Sequence, residues 1–476
     1  MRPIKEILAS GDANEIYRKL TSRKKPFEKP FERTEREWNP LLHQVMDTNV
    51  RKKKRIKEAT DKIDPQTGKQ VFRERQIDRC RVCIPIQQTI VERTVGFLFA
   101  NRVEYMMESK ENEKTKRVYD GVMKIFNDNK IKFFDKKLAR HLFRARECAE
   151  LWYFILDENG KPTKDMRVKL LSPVNGDMLF PHFDNYERMD GFARKYTVAD
   201  EDNNTKIHFD VYTDTLVYNY VYEGGSLVLQ GSPKRHGFEK VPVIYYRQEH
   251  TEWDKVQIAI DRVEELISNW GDTNDYFGTP SYFFKGKLKG FAEKGEVGKI
   301  YQGEGESDMR VLSWDNSPSS VTGELANLMN IIFSYTQTPD ISFETMKTLG
   351  NNTSGVSIKL MFTDPHMKSD VKTELFGEMF TRRFNLVMSG YGSIIEATPQ
   401  SVIDSINIEP IFKPYLPENT IEKLQLINAS TGGKATMSQE EGVRQNPLVK
   451  NPDTVLQQLQ AEAQASAMMD SFGMAQ

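Results

Sequence analysis

The hydrophobic period of this 476-residue chain changes several times, and the order of those changes limits the fold more than any single motif does. Between Ile84 and Ala145 apolar residues recur mostly three and four apart. Val118, Val122, Ile125 and Phe126 mark one helix face, and Phe134, Leu138, Leu142 and Ala145 another. Ile84, Ile90, Val91, Val95 and Leu98 predict a helix over 75–99, with Pro85 kinking it or lying in its first turn. Arg102–Met107 reads as a short extended piece. From Leu151 to Arg247 the chain turns to short Val/Ile/Tyr/Phe/Thr-rich runs separated by Asn/Asp/Gly clusters, which predicts a meander-like β region. Val256, Ile260, Val263 and Ile267 restore helical spacing over 254–276. Residues 281–314 are short extended pieces cut by glycines, and 319–337 is helical again. A polar stretch, 340–354, reads as a loop. A long helix over 355–391 follows, with Met367, Val371, Leu375 and Met379 at i+4 beside Phe376, Phe380 and Phe384. Pro365 should bend it. Ile406–Phe412 is extended, and three helix signals close the chain, one opening on the capping box Ser438–Glu441. The class is α+β, with two to four domains.

Charge is unevenly distributed. Lys+Arg is 67 and Asp+Glu 68, so the net of -1 excludes a simple basic nucleic-acid coat. Residues 1–80 nevertheless hold 21 bases and 13 acids, including the block Arg51–Arg55. Residues 252–275 hold seven acids and two bases, and residues 396–476 hold ten acids and five bases. Residues 1–74 read as short helices and mobile arms, and the basic block is expected in one of the arms. No run of about 18 apolar residues predicts a transmembrane helix, and no leader with an apolar core is expected at the N-terminus. Three cysteines cannot make a disulfide framework, which fits a reducing compartment.

Catalytic signals are few. Gly433-Lys434 imitates the end of a phosphate loop, but Ala435 stands where Ser or Thr would bind magnesium and Asn428 replaces the leading glycine. Cys80-x-x-Cys83 has no second pair at zinc-ligand spacing, and the seven histidines form no HExxH. No catalytic residue, cofactor or metal is expected, and the chain does not read as an enzyme.

Four stretches, in this order and spacing, resemble the portal proteins of tailed bacteriophages of the siphophage type. They are Arg75–Tyr105, the strand HGFEKVPVI at 236–244, SGVSIKL at 354–360, and Glu409–Lys413 with the LPEN at 416–419 and the SQEE at 438–441. Phe97–Val103 departs from the family pattern by lacking its Gly and Pro. The resemblance implies a portal fold: a wing of helices plus β meander, a helical stem, a small β-rich clip, a long bent spine helix and a helical crown. The implied divisions are 1–74 (basic arm or outer wing), 75–253 (wing), 254–276 and 319–338 (stem helices), 277–318 (clip), 339–354 (tunnel loop), 355–412 (spine helix and wing) and 413–476 (crown).

The resemblance also implies a homo-oligomeric ring, usually a dodecamer, at the capsid vertex of the virion. The ring is assembled in the host cytoplasm and passes double-stranded DNA without sequence specificity. Its implied partners are the terminase large subunit, the head–tail adaptor, and major capsid and scaffold proteins, with no membrane. An acidic stem suits a channel, because DNA carries one negative charge per ~1.7 Å and a basic lining would hold it. Asp261, Glu264, Glu265 and Asp272 are the expected lining. Lys347, Gly350, Asn351 and Asn352 are the expected tunnel-loop residues, since Gly and Asn tolerate left-handed backbone. Other readings are a different head–tail connector or minor capsid protein, or a metal-dependent nuclease or motor subunit.

Overall fold

The computed structural model describes residues 3–66, 70–108, 112–199, 203–277, 281–290, 302–312, 318–338, 362–415 and 420–473. The chain divides into two units, residues 1–339 with 367–414 and residues 340–366 with 415–476.

The first unit opens with three short helices, α1 (Ile4–Leu8), α2 (Ala13–Thr21) and α3 (Phe31–Trp38). Asp12 caps α2, its carboxylate accepting from the amides of Asn14 and Glu15. An antiparallel ribbon follows, β1 (Lys54–Ile63) with β2 (Gln70–Ile77). Next come α4 (Ile86–Leu98), β3 (Glu104–Met107), α5 (Glu113–Asp128) and α6 (Ile131–Ala145). Nine strands occupy the region read as a meander. They are β4 (Glu147–Leu156), β5 (Pro162–Leu171), β6 (Met178–Phe183), β7 (Met189–Ala199), β8 (Thr205–Tyr212), β9 (Leu216–Glu223), β10 (Ser226–Leu229), β11 (Lys234–Arg235) and β12 (Val243–Arg247).

These strands form two sheets. One has the order β10-β9-β8-β7-β6, with β11 pairing β9, and is a meander. The other is β12-β4-β5 and returns the last strand beside the first. The period of two sorts side chains between two faces of the larger sheet. Phe180, Ala193, Phe209 and Val211 pack with Ile4, Ile7, Ile16 and Leu20 of α1 and α2. Their neighbours Leu179, Phe192 and Tyr212 pack with Leu151, Leu171 and Val243 of the smaller sheet. Gly191 leaves the space that the Ile4 side chain fills. Of the short helices and mobile arms expected over residues 1–74, the helices α1 and α2 are present and close one face of this sheet.

The main core surrounds α9 (Thr363–Gly390), which follows α7 (Gln257–Phe277), the hairpin β13 (Ser281–Gly290) and β14 (Gln302–Leu312), and α8 (Pro318–Tyr335). Phe376, Phe380 and Phe384 are fully buried among Phe99, Phe126, Phe143 and Tyr246. The Met367/Val371 stripe is the exposed one, with those side chains 56% and 63% exposed. The bend expected at Pro365 has no cause, because Pro365 lies in the first turn of α9, where its missing N–H breaks no helical bond. The departure from α geometry comes at the other end, where Tyr391–Ile395 winds as a π-helix. The helix predicted over 75–99 begins only at Ile86, immediately after Pro85, and residues 70–77 are strand. The unit ends with α10 (Gln400–Ile403) and β15 (Ile408–Ile411), which pairs β3.

In the second unit α11 (Thr420–Thr431), α12 (Gln439–Gln445) and α13 (Pro452–Gly473) pack in sequence. Ser438 caps α12 by accepting from the Glu441 amide at 3.1 Å. Arg444 pairs with Asp453 at 3.0 Å.

Candidate functional site

The acidic helix α7 carries the four acids expected to line a channel, and its apolar side explains its position. Val256, Ile260 and Val263 are buried in the main core, and Ile267 packs against it. The α8 residues Leu325, Leu328, Met329 and Ile332 reach the same core. Arg262 of α7 pairs with Glu324 of α8 at 2.9 Å. The hairpin sets Ser281 opposite Leu312, so α7 ends and α8 begins at the same end. α8 also packs on the 3-10 turn Asp254–Val256 that precedes α7. The two helices therefore run antiparallel, joined by the hairpin.

The acids of α7 divide by surroundings. Residues 80–84 lie extended along the helix. The amide of Ile84 donates to Glu264 Oε1 at 2.7 Å, that of Val82 to Ser268 Oγ at 2.9 Å, and that of Cys80 to Asp272 Oδ1 at 3.0 Å. Two residues of extended chain span about 6.6 Å, and four residues of helix rise about 6.0 Å. Every second amide of the strap thus meets every fourth side chain of α7, with the two segments antiparallel. Glu264, Ser268 and Asp272 stand in for the missing partner strand. Gly271 makes the close approach possible: a Cβ there would sit 2.5 Å from the Cys80 sulfur.

The same carboxylates hold the preceding segment. His43 Nδ1 lies 2.7 Å from Glu264 Oε1, and both side chains are buried. Arg51 donates to Asp272 Oδ2 at 2.7 Å, to Asn269 Oδ1 at 2.8 Å and to the Cys80 carbonyl at 2.8 Å. Arg51, the first residue of the basic block, is therefore a buried anchor and not part of a mobile arm.

Of the four acids expected to line a channel, Glu264 points into the fold and Asp272 is occupied by Arg51 and the strap. Asp261 is half-buried and accepts from Gln257 at 2.8 Å. Burial, with the charges of Glu264 and Glu37 nearby, raises its pKa. Glu265 is exposed and pairs with Arg262 at 3.2 Å. Lys347, Gly350, Asn351 and Asn352 lie outside the described residues.

The family described as phage portal protein, SPP1 Gp6-like, matches residues 43–468. The chain belongs to this family. The matched portal span runs from His43 through the strap, α7, the hairpin, α8 and α9 into α13. The portal protein of Bacillus phage SPP1 is 21% identical, over 67% of this chain. That match spans 65% of the relative's own length, just under two thirds. A solved chain from the virion of a native gene transfer agent particle aligns over 92% of this chain and 96% of its own, at 12% identity. Its TM-score is 0.35, too loose a likeness to argue from.

Two buried charge clusters of this portal-family chain were not read from its sequence. Arg383 of α9 donates through Nε to both oxygens of Glu150, at 3.0 and 2.8 Å, and through Nη1 to Asp135 at 2.7 Å. Tyr246 donates to Glu150 at 2.6 Å. Burial raises the Asp135 pKa to about 6 against the pull of Arg383. Glu252, just before α7, accepts from Lys368 at 2.8 Å and Lys372 at 2.6 Å. Burial opposes its charge, but the two lysines outweigh burial and hold its pKa at about 2. The signal for both was an Arg or Lys spaced among apolar residues of a long helix. Among the described residues no group of three His, Cys, Asp or Glu is arranged to hold a metal ion. Also among them, no helix is long and apolar enough to cross a membrane.

Proposed function

We propose that the chain is a portal subunit that forms a ring around a channel for double-stranded DNA. The observation that carries this reading is the antiparallel pair α7–α8 joined by a β-hairpin, within a chain matched to portal proteins over 43–468. In this reading 254–276 and 319–338 are the stem, 277–318 the clip, 339–354 the tunnel loop, 355–412 the spine, and 413–476 the crown. Twelve copies close the ring at the capsid vertex of a virion assembled in the host cytoplasm. The clip docks the terminase large subunit during packaging and the head–tail adaptor afterwards, and the wing meets capsid and scaffold proteins. The chain is a conduit with no turnover of its own.

Two features support assembly and conduction. Leu41, Leu42 and Ile258 are 70%, 55% and 86% exposed and line one cavity beside α7. Grouped beside α7 among charged side chains, they are a surface that a neighbouring subunit would cover in the ring. The exposed acids of the pair are Glu265, Asp275 and Glu324. They, and not Glu264 or Asp272, supply the negative field that keeps a DNA polyanion mobile in the channel. Contacts of this sort read no base sequence. Negative-stain microscopy of the purified protein tests the reading: closed rings with a central hole are expected. Persistent monomers across protein concentration and salt contradict it.

A further inference from the structure

The ribbon β1–β2 is not absorbed by this function. Residues 52–77 carry nine Lys/Arg against four Asp/Glu. The strands pair from Lys54 opposite Ile77 to Ile63 opposite Gln70, with a register shift between Ala59 and Ile63. Arg55, Lys57, Lys62, Arg73 and Arg75 are all exposed. Its root is fixed: Arg51 is locked to Asp272, Cys80 is bound to the same carboxylate, and Lys54 lies over the Tyr276 ring at 5.9 Å. A two-stranded ribbon alone is marginal in water, and this one is held at its root while its bases are exposed.

The register decides between partner types. Ile56 opposes Arg75 and Glu58 opposes Arg73, whereas Arg55 opposes Gln76 and Lys57 opposes Glu74. Alternation sends these two sets to opposite faces, so each face of the ribbon carries bases. A protein-docking surface would have an apolar or aromatic centre depleted of charge. Among the described residues of the ribbon the exposed large apolar side chains are Val71 and Phe72. A two-stranded ribbon is also of a size to enter the DNA major groove, with phosphates on both sides.

We propose that this ribbon is a second, sequence-independent binding surface for the phosphate backbone of double-stranded DNA, separate from the channel. It rests on the reading that the chain handles duplex DNA. The surface grips DNA through Arg55, Lys57, Lys62, Arg73 and Arg75, while the acidic stem does not hold it.

The test uses the full chain, preassembled, with covalently closed circular duplex DNA, which cannot thread a ring. Fluorescence anisotropy across a salt series is expected to show binding with no sequence preference. Each phosphate contact contributes about 0.9 to the log–log salt slope. The variant R55Q/K57Q/R73Q/R75Q should lose about 3 to 4 from that slope and tenfold or more in affinity at low salt. Its rings and thermal unfolding should be unchanged. The conservative variant R73K/R75K should keep the binding. Intact rings with no affinity for closed circles overturn the ribbon site alone, as does a quadruple variant that binds like wild type. Binding to poly-glutamate but not to duplex at the same salt also overturns it and points to an acidic protein. Failure of the wild type to form rings at all counts against the channel reading instead.

Discussion

His43 Nδ1 lies 2.7 Å from Glu264 Oε1, while the Nε2 of the same ring lies 2.8 Å from the backbone carbonyl of Glu37. A carbonyl accepts and an ionised carboxylate accepts, so this arrangement favours hydrogen on both ring nitrogens, the imidazolium. Glu264 and Asp261 of α7 are the charged groups acting on the ring, and Glu37 of α3 supplies the carbonyl. Burial alone would lower the His43 pKa, but the hydrogen bond and charge of Glu264 more than reverse this, so it stands above 6.5.

The sign of the pH dependence follows. A raised histidine pKa gives a stabilisation that is complete below about 6.5 and lost as pH rises through the folded value. Urea unfolding at pH 6 and pH 9 should show the wild type losing stability at the higher pH. His43→Gln should be about 3 to 5 kcal/mol less stable at pH 6, because Glu264 is left buried without its cation. It should also lose that pH step. An unaltered step in the variant would remove His43 from the account.

The strap along α7 is tested at two positions. Ser268→Ala strands the Val82 amide and should cost about 1 to 3 kcal/mol in urea unfolding. Gly271→Ala places a Cβ 2.5 Å from the Cys80 sulfur and should cost a similar ~1 to 3 kcal/mol. Restoration of Gly271→Ala by Cys80→Gly, which removes the clashing thiol, would show that the two touch. No restoration would contradict the packing.

Glu252 gives the opposite pH sign. Its pKa is held at about 2, against 4.5 for a free glutamate. Its stabilisation is present above about 4.5 and lost as pH falls toward 2, and is worth on the order of 3 kcal/mol. Glu252→Gln should flatten the acid limb of the stability curve over that window. An acid limb of unchanged slope would mean that Lys368 and Lys372 do not hold the carboxylate ionised.

The Arg383 cluster tests which charges are obligatory. Arg383→Met leaves Glu150 and Asp135 buried without their cation and should cost about 3 to 5 kcal/mol in chemical denaturation. Adding Glu150→Gln and Asp135→Asn should recover much of that loss, since neutral replacement removes the desolvated charges together. No recovery would mean that packing around Phe380, not charge, set the loss.

What the sequence disclosed followed the strength of local periodicity. The stripe Val256, Ile260, Val263, Ile267 marked the buried side of α7, and the Val/Ile/Tyr runs marked most strands of both sheets. The two-residue β11 has too little sequence to show a period, and β6 carries Pro181, tolerated because β6 is a sheet edge. The ribbon β1–β2 carries no sustained apolar alternation, so its sequence shows no period of two. Glu264 and Asp272 read as solvent-facing acids, because a carboxylate on a helix gives no sign that an extended strap 180 to 192 residues earlier will donate to it. The stripe Met367, Val371 competed with Phe376, Phe380, Phe384 on one helix, and only packing shows which is inside.

A cryo-electron microscopy map viewed down the axis of the assembled particle tests the central claim most directly. The account predicts a closed ring whose lumen is walled by α7 and α8. Glu265 and Glu324 should face the lumen, while Glu264 stays buried against His43. A ring in which this helix pair lies at the outer rim, with another element walling the lumen, would contradict it.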